Sequence, residues 1–205
     1  RQLSFIFPVP SIRKLYATKP LSYVANLLGH EGPGSLFTVL KAKGWAENLS
    51  AGLGMVRDVE GTFEISIGLT PTGLDHIESI GEMVFDAIRR IRDHGINGWR
   101  YAEQKQLAKM QFRFQEVVEP ITLTRALAAR WHEYPLEDLL YANYRYDELV
   151  KTQVIDYLSR MTPENLHLLL VAPGQETDQV DRWYGVRYRL TKLPEPWVAA
   201  WQVPP

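Results

Sequence analysis

The segment Thr62-Phe63-Glu64-Ile65-Ser66-Ile67-Gly68-Leu69 alternates without a break, with Phe63, Ile65, Ile67 and Leu69 set against Thr62, Glu64, Ser66 and Gly68. A period of two marks a strand with one face in a core and the other toward water. Upstream, Trp45–Arg57 reads as its partner, with Asp58-Val59-Glu60-Gly61 as the turn between them, so the pair predicts a β-hairpin. Gly52 and Gly54 in the first arm predict a bulge or a close approach of backbone. A further strand is expected over Gln2–Pro8, with Leu3, Phe5 and Phe7 on one face and Pro8 and Pro10 as its stop. Leu166–Ala172 is apolar on both faces, which predicts a central strand.

Between the strands the period changes to three and four. A helix is expected from Thr18 or Lys19 to Leu28, with Pro20 in its first turn. Gly29-His30-Glu31-Gly32-Pro33-Gly34 breaks it. A second helix follows over Ser35–Ala42, with Leu36, Val39 and Leu40 inward and Gly44 just past its end. Thr70-Pro71 reads as an N-cap followed by proline, and Ile77, Ile80, Val84, Ile88 and Ile91 carry that helix to His94-Gly95. Three more are expected: Trp99–Phe114, lined by Trp99, Ala102, Leu107, Met110 and Phe114; Ile121–Trp131; and Asp147–Leu158, capped by Asp147. A hairpin among helices predicts an α+β fold, a largely antiparallel sheet with helices packed on one face. From Pro173 the chain changes character. Trp183, Tyr184, Tyr188, Trp197 and Trp201 are interspersed with proline, as in an extended or linker segment that docks through aromatic anchors. The expected division is therefore 1–172 and 173–205.

Composition removes several function classes. The chain has 205 residues, 45% of them hydrophobic, with 23 basic and 24 acidic side chains. Up to Arg100 there are 11 basic and 10 acidic residues, so no half is a basic module, and a dedicated nucleic-acid binder is not expected. No apolar run approaches the roughly 18 residues of a membrane span. Without cysteine there is no disulfide, thiolate nucleophile or Cys-based metal site. The five histidines, His30, His76, His94, His132 and His167, include no pair four apart, so neither HExxH nor HxxEH can be drawn. Ser35 reads as a helix cap, and Gly29–Gly34 lacks the lysine and hydroxyl of a P-loop. Arg182–Arg189 interleaves arginine with aromatics, a pattern more common in anchoring than in stacking on single strands. The chain opens with Arg1 and reads at once as a strand, either as a piece of a longer polypeptide or as an ordinary mature chain.

One run is more specific. Leu28-Gly29-His30-Glu31-Gly32-Pro33-Gly34-Ser35-Leu36, continued by Leu40-Lys41-Ala42-Lys43-Gly44-Trp45, resembles the insulysin/pitrilysin family of zinc metallopeptidases. Phe7-Pro8-Val9-Pro10, Phe112-Arg113-Phe114, Tyr134-Pro135-Leu136-Glu137, Pro163-Glu164-Asn165 and Trp183-Tyr184-Gly185 extend the resemblance over nearly the whole chain. It implies the second of four similar α+β units, a metallopeptidase-like α/β roll, followed by the start of the linker between the two halves of the parent. Zinc and the HxxEH motif would belong to the first unit. This unit would carry no catalytic or metal residue, would be inactive alone, and would line the chamber and hold the substrate's N-terminal end. By resemblance that exosite falls on Gly29, Glu31, Leu49, Ser50 and Ala51. Two positions depart from the animal insulysins: Asn26 stands where they carry histidine and Ala51 where they carry glycine. The implied partners are peptide substrates and the other domains of the same polypeptide, with no nucleic acid and no membrane. The alternative is a binding or assembly module of a catalytically inactive relative, like the partner subunits of processing peptidases. Bacterial members of the family are often periplasmic, and a cytoplasmic location stays open.

Overall fold

The alternating segment forms β3 (Glu60–Leu69) and lies inside the sheet. In the computed structural model, which describes residues 1–202, β1 (Gln2–Pro10) pairs antiparallel with β3 on one side and with β4 (His167–Val171) on the other. β2 (Ala46–Val56) pairs antiparallel with β3 and forms the opposite edge, giving the order β2-β3-β1-β4. Both crossovers, β1 to β2 and β3 to β4, skip one strand, which is the double split β-α-β arrangement.

The register converts alternation into rows. Leu49, Ile67, Leu3 and Leu170 align across the four strands, and Ala51, Ile65, Phe5 and Leu168 form the next row. These rows face the helices. The opposite face carries Ser50, Ser66, Ser4 and Leu169, then Gly52, Glu64, Ile6 and His167. The core is closed by Leu21, Val24 and Leu28 of α1 (Pro20–Leu28), by Phe37 and Leu40 of α2 (Leu36–Ala42), and by residues further along the chain. After the one-turn α3 (Pro71–Leu74), α4 (Ile77–Arg90) contributes Ile80, Val84, Phe85 and Ile88. Then follow α5 (Gly98–Arg113), α6 (Pro120–Trp131), α7 (Lys151–Ser159), a small ribbon of β5 (Gln179–Val180) and β6 (Arg187–Tyr188), and α8 (Glu195–Gln202).

Several local expectations hold with their mechanism. Ser35 Oγ accepts the Thr38 N–H at 3.2 Å and Thr70 Oγ1 accepts the Gly73 N–H at 2.9 Å, each satisfying a donor the helix leaves open. Gly44 has φ +72, the left-handed value that ends α2. β2 slips register between Leu53 and Val56, where Gly54 lies.

Others are corrected. β1 runs through both prolines. Pro8 O accepts the Asn165 side-chain amide at 2.8 Å, and β4 pairing has already ended at Ile6, so the missing N–H faces a side that has no ladder to break. β4 is an edge strand, with Leu169 and Val171 exposed. Val39 points to solvent, and Phe37 takes the inward place beside Leu40. The helix from Thr70 breaks after Leu74 and restarts at Ile77. In α5 the buried residues are Tyr101, Gln104 and Ala108, while Trp99, Ala102, Leu107, Met110 and Phe114 face outward. Asp147 does not cap α7, because the helix begins only at Lys151 with Val150 at its N-cap; both Asp147 oxygens instead accept from Arg145 Nε at 3.0 Å. Of the tail aromatics, Trp197 and Trp201 pack on the core, whereas Trp183 and Tyr184 stand exposed on the β5–β6 ribbon. Pro204 and Pro205 lie outside the described residues.

Buried phenols tie these elements together. The Tyr23 hydroxyl accepts the Asn97 N–H at 2.8 Å, Tyr101 donates to Thr18 O at 3.0 Å, and Tyr157 lies 3.3 Å from Pro10 O. Burial raises the pKa of all three above the ordinary 10.0. A phenol raised in the folded state favours folding below its unfolded pKa, and that stabilisation is lost as pH climbs through the folded value. Stability measured by urea unfolding is therefore expected to be flat around pH 8–9 and to fall above about pH 10, together with phenolate absorbance. Tyr101→Phe is expected to be less stable at pH 8 by about 1 kcal/mol but to lose less on alkalisation. An alkaline loss unchanged by Tyr101→Phe would remove Tyr101 from this account.

Candidate functional site

α1 ends against the edge strand β2. Gly29 caps the helix, its N–H donating to Ala25 O at 2.8 Å, and a β-carbon on it would stand 3.0 Å from Ala25 O and 3.5 Å from Ala51 N. Toward the strand a β-carbon would make ordinary van der Waals contact, and the tight approach is to the last turn of α1 itself. Beside this contact lies an open cleft of about 440 Å³. Gly29 and Glu31 enter it from the loop, and Leu49, Ser50 and Ala51 from β2. The five residues singled out by resemblance therefore share one concavity. Ala25, Asn26 and His30 complete its wall. Ala25 and Asn26 lie four and three residues before Gly29, the spacing of one helix face, so helical periodicity is the signal that finds them.

The loop has a fixed shape. Ser35 N–H donates to Gly32 O at 3.1 Å and Thr38 Oγ1 to the same oxygen at 2.7 Å, while Gly34 takes φ +78. The His30 imidazole folds back over Gly32, in the space where a β-carbon would sit. Ser35 is thereby a structural cap. Glu31 and Ser50 are exposed, whereas Leu49 is buried and anchors the strand beneath them.

A second cleft of similar size opens on the outer face of the sheet, sharing Ser50 and Ala51 and adding Gln2, Gly52, Glu64 and Ser66. Gln2 Nε2 donates to Ser66 Oγ at 2.7 Å. Glu64 and Gln2 were not anticipated as site residues. Their signal was the polar phase of the alternation, which gains meaning only once the register is known. Two clefts thus flank one strand, and no described strand pairs with its outer edge. Such an edge presents backbone donors and acceptors to an extended chain, and Glu31 supplies a carboxylate at one end.

Among the described residues no three His, Asp or Glu side chains are grouped to hold a metal ion, and no helix is long and apolar enough to cross a membrane. His132 is the C-cap of α6, His76 stacks on Trp45 with centroids 4.3 Å apart, and His94 and His167 are exposed.

The fold is that of a metallopeptidase-like α+β unit. A crystal structure of pitrilysin superposes with a TM-score of 0.92 at 23% identity, over 98% of this chain and 22% of that one. The inactive peptidase domain of a putative zinc protease from Bordetella parapertussis superposes at 0.61 and 13% identity, over 82% of this chain and 89% of that one. The chain belongs to the peptidase M16 family: residues 1–108 match the "Peptidase M16 inactive domain" and residues 112–205 the "Middle or third domain of peptidase_M16". It is 35% identical to the insulin-degrading enzyme of Homo sapiens and 32% identical to a nardilysin-like protein of Arabidopsis thaliana, in each case over 98% of its own length. It spans 21% and 20% of those two proteins. The resemblance to the insulysin/pitrilysin family thus stands as membership, and the α+β expectation as the observed fold.

Proposed function

We propose that this chain is the non-catalytic, substrate-holding unit of a zinc-dependent metalloendopeptidase that cleaves peptides. The observation that carries this reading is the convergence of Gly29, Glu31, Leu49, Ser50 and Ala51 on one cleft beside the open edge of β2. A peptide laid along β2 extends the sheet by backbone hydrogen bonding, and the Glu31 carboxylate pairs with its terminal ammonium. The flanking clefts take alternate side chains, because successive residues of an added strand point to opposite faces. Zinc, with the HxxEH motif that this sequence lacks, would sit in another unit of the parent, and the outer sheet face would form chamber wall. Residues 1–172 would then be the unit itself and 173–205 the start of the connection to the next half. The human relative's name, insulin-degrading enzyme, agrees with peptides as the substrate class.

Titrating a C-terminally labelled peptide with a free or an acetylated N-terminus tests the reading. Glu31→Gln is expected to weaken the free peptide by roughly three- to tenfold and to leave the acetylated one unchanged. Equal effects on both would reduce the loop to structure alone.

A further inference from the structure

Glu64 stands half-buried on the outer face of β3, in the row Gly52, Glu64, Ile6 and His167. Its carboxylate forms no ion pair among the described residues, and the cleft it lines holds no lysine, arginine or histidine. Glu64 Oε2 leans toward the edge strand, 3.8 Å from where a β-carbon on Gly54 would stand. The glycines on this face differ in what surrounds them. The Thr62 hydroxyl occupies the space beside Gly54, and the Asn48 amide occupies the space beside Gly68. Nothing lies within 4 Å of the β-carbon that Gly52 lacks. Gly52 has no left-handed φ, and it pairs in register with Glu64, outside the bulge. Neither its conformation nor a neighbour in the unit requires glycine there. Glycine weakens a strand interior, and away from a bulge it is the residue of a close approach by a ligand or another backbone.

We propose that Glu64 selects a lysine or arginine in the peptide held along β2, which makes the outer cleft a specificity subsite for one basic side chain. The proposal rests on the peptide-holding reading of β2. A strand added to the open edge places its residue opposite Gly52 in the same row as Glu64, with its side chain on the same face. That residue is two strand spacings from Glu64, about 9.5 Å. A short side chain does not cross this gap. The long stem of lysine or arginine meets the Glu64 side chain above Gly52, where no β-carbon stands in the way. The ammonium or guanidinium then makes a charge-assisted hydrogen bond to the carboxylate, and the Ser50 and Ser66 hydroxyls of the same cleft offer further acceptors. Glu31 and Glu64 thus divide the work. The first reads the terminal ammonium, which every unblocked peptide has, and the second reads a side chain, which only some peptides have.

The test titrates C-terminally labelled peptides into the 205-residue chain. A single lysine is moved stepwise through the first five positions, and each peptide is compared with its norleucine counterpart. At one position lysine is expected to bind roughly tenfold more tightly than norleucine. Glu64→Gln should bring that ratio to about one, and Glu64→Lys should invert it. Diaminopropionate in place of the lysine keeps a charge but loses the reach, and should also abolish the preference. Gly52→Val should abolish it while leaving the melting temperature unchanged or higher, because valine suits a strand. Glu31→Gln is expected to lower the affinity of both peptides of a pair and to keep their ratio. Lysine and norleucine bound alike at every position, or a preference that survives Glu64→Gln, overturns the subsite while the peptide-holding edge stands. A chain that binds none of the peptides overturns both.

Discussion

Trp201→Ala is expected to cost about 3–5 kcal/mol of stability, the range for emptying an aromatic site in a closed core. The residue lies in the last described helix, after a long stretch of surface chain, yet its side chain is fully buried. It stacks on Phe85 with centroids 5.4 Å apart, sits 6.2 Å from the Phe5 ring, and donates its indole N–H to Glu78 O at 2.9 Å. Arg89 Nη1 donates to Trp201 O at 2.8 Å, which fixes the helix backbone as well. The indole occupies the space above Gly81, where a methyl group would overlap it. In an ordinary helix interior Gly→Ala gains up to about 1 kcal/mol. Here Gly81→Ala is expected to destabilise by about 1–3 kcal/mol, because the indole is held by its hydrogen bond and ring stacking and has nowhere to retreat. With Trp201→Ala in place, the sign should reverse and Gly81→Ala should stabilise. Urea unfolding of the four proteins checks this. If Gly81→Ala stabilises in both backgrounds, α8 is not seated on α4.

Gly29→Val is the counterpart at the cleft. Gly29 has φ −83 and ψ 4, values any residue adopts, so the substitution carries no backbone penalty. Its new β-carbon would stand 3.5 Å from Ala51 N, and the two methyl groups beyond would fill the gap between helix end and edge strand. The added methyls would block a peptide approaching β2 there. We expect at least a tenfold loss of peptide affinity, about 1.4 kcal/mol, whether or not the peptide's N-terminus is acetylated. The 3.0 Å approach to Ala25 O asks the end of α1 to give slightly, so the melting temperature should fall by only a few degrees. Retained affinity would place the peptide elsewhere. This signature differs from that of Glu31→Gln, which acts through charge and so distinguishes free from acetylated peptides.

Much of the fold was legible because its signals are local. Alternation in β3, proline and threonine at the start of α3, Ser35 before α2 and Gly44 after it each act within a few residues. The α5 face was misread because periodicity reports where apolar side chains recur, and in this helix they recur on the exposed side. Its inward face uses Tyr101 and Gln104, which carry polar atoms, while its outward one uses Trp99 and Met110. Asp147 was misread because the helix starts four residues later, at Lys151, leaving the Asp147 carboxylate to pair with Arg145. At the site, Gly29 and Glu31 are about 20 residues from Leu49–Ala51. Resemblance grouped them, but spacing alone gave no reason for them to meet.

The sequence by itself determined an α+β chain without thiol chemistry or paired histidine ligands, the four strands of its main sheet, the caps Ser35 and Thr70, and the family motif around Gly29–Trp45. The tertiary structure decided that β2 and β4 are the edges, that β2 is the edge carrying the clefts, and that Trp201 closes the core. Local propensity fixes what each segment becomes. Strand order and burial depend on pairings such as Phe5 with Leu168, set by packing between segments far apart in the chain, and no period within a segment encodes its neighbour.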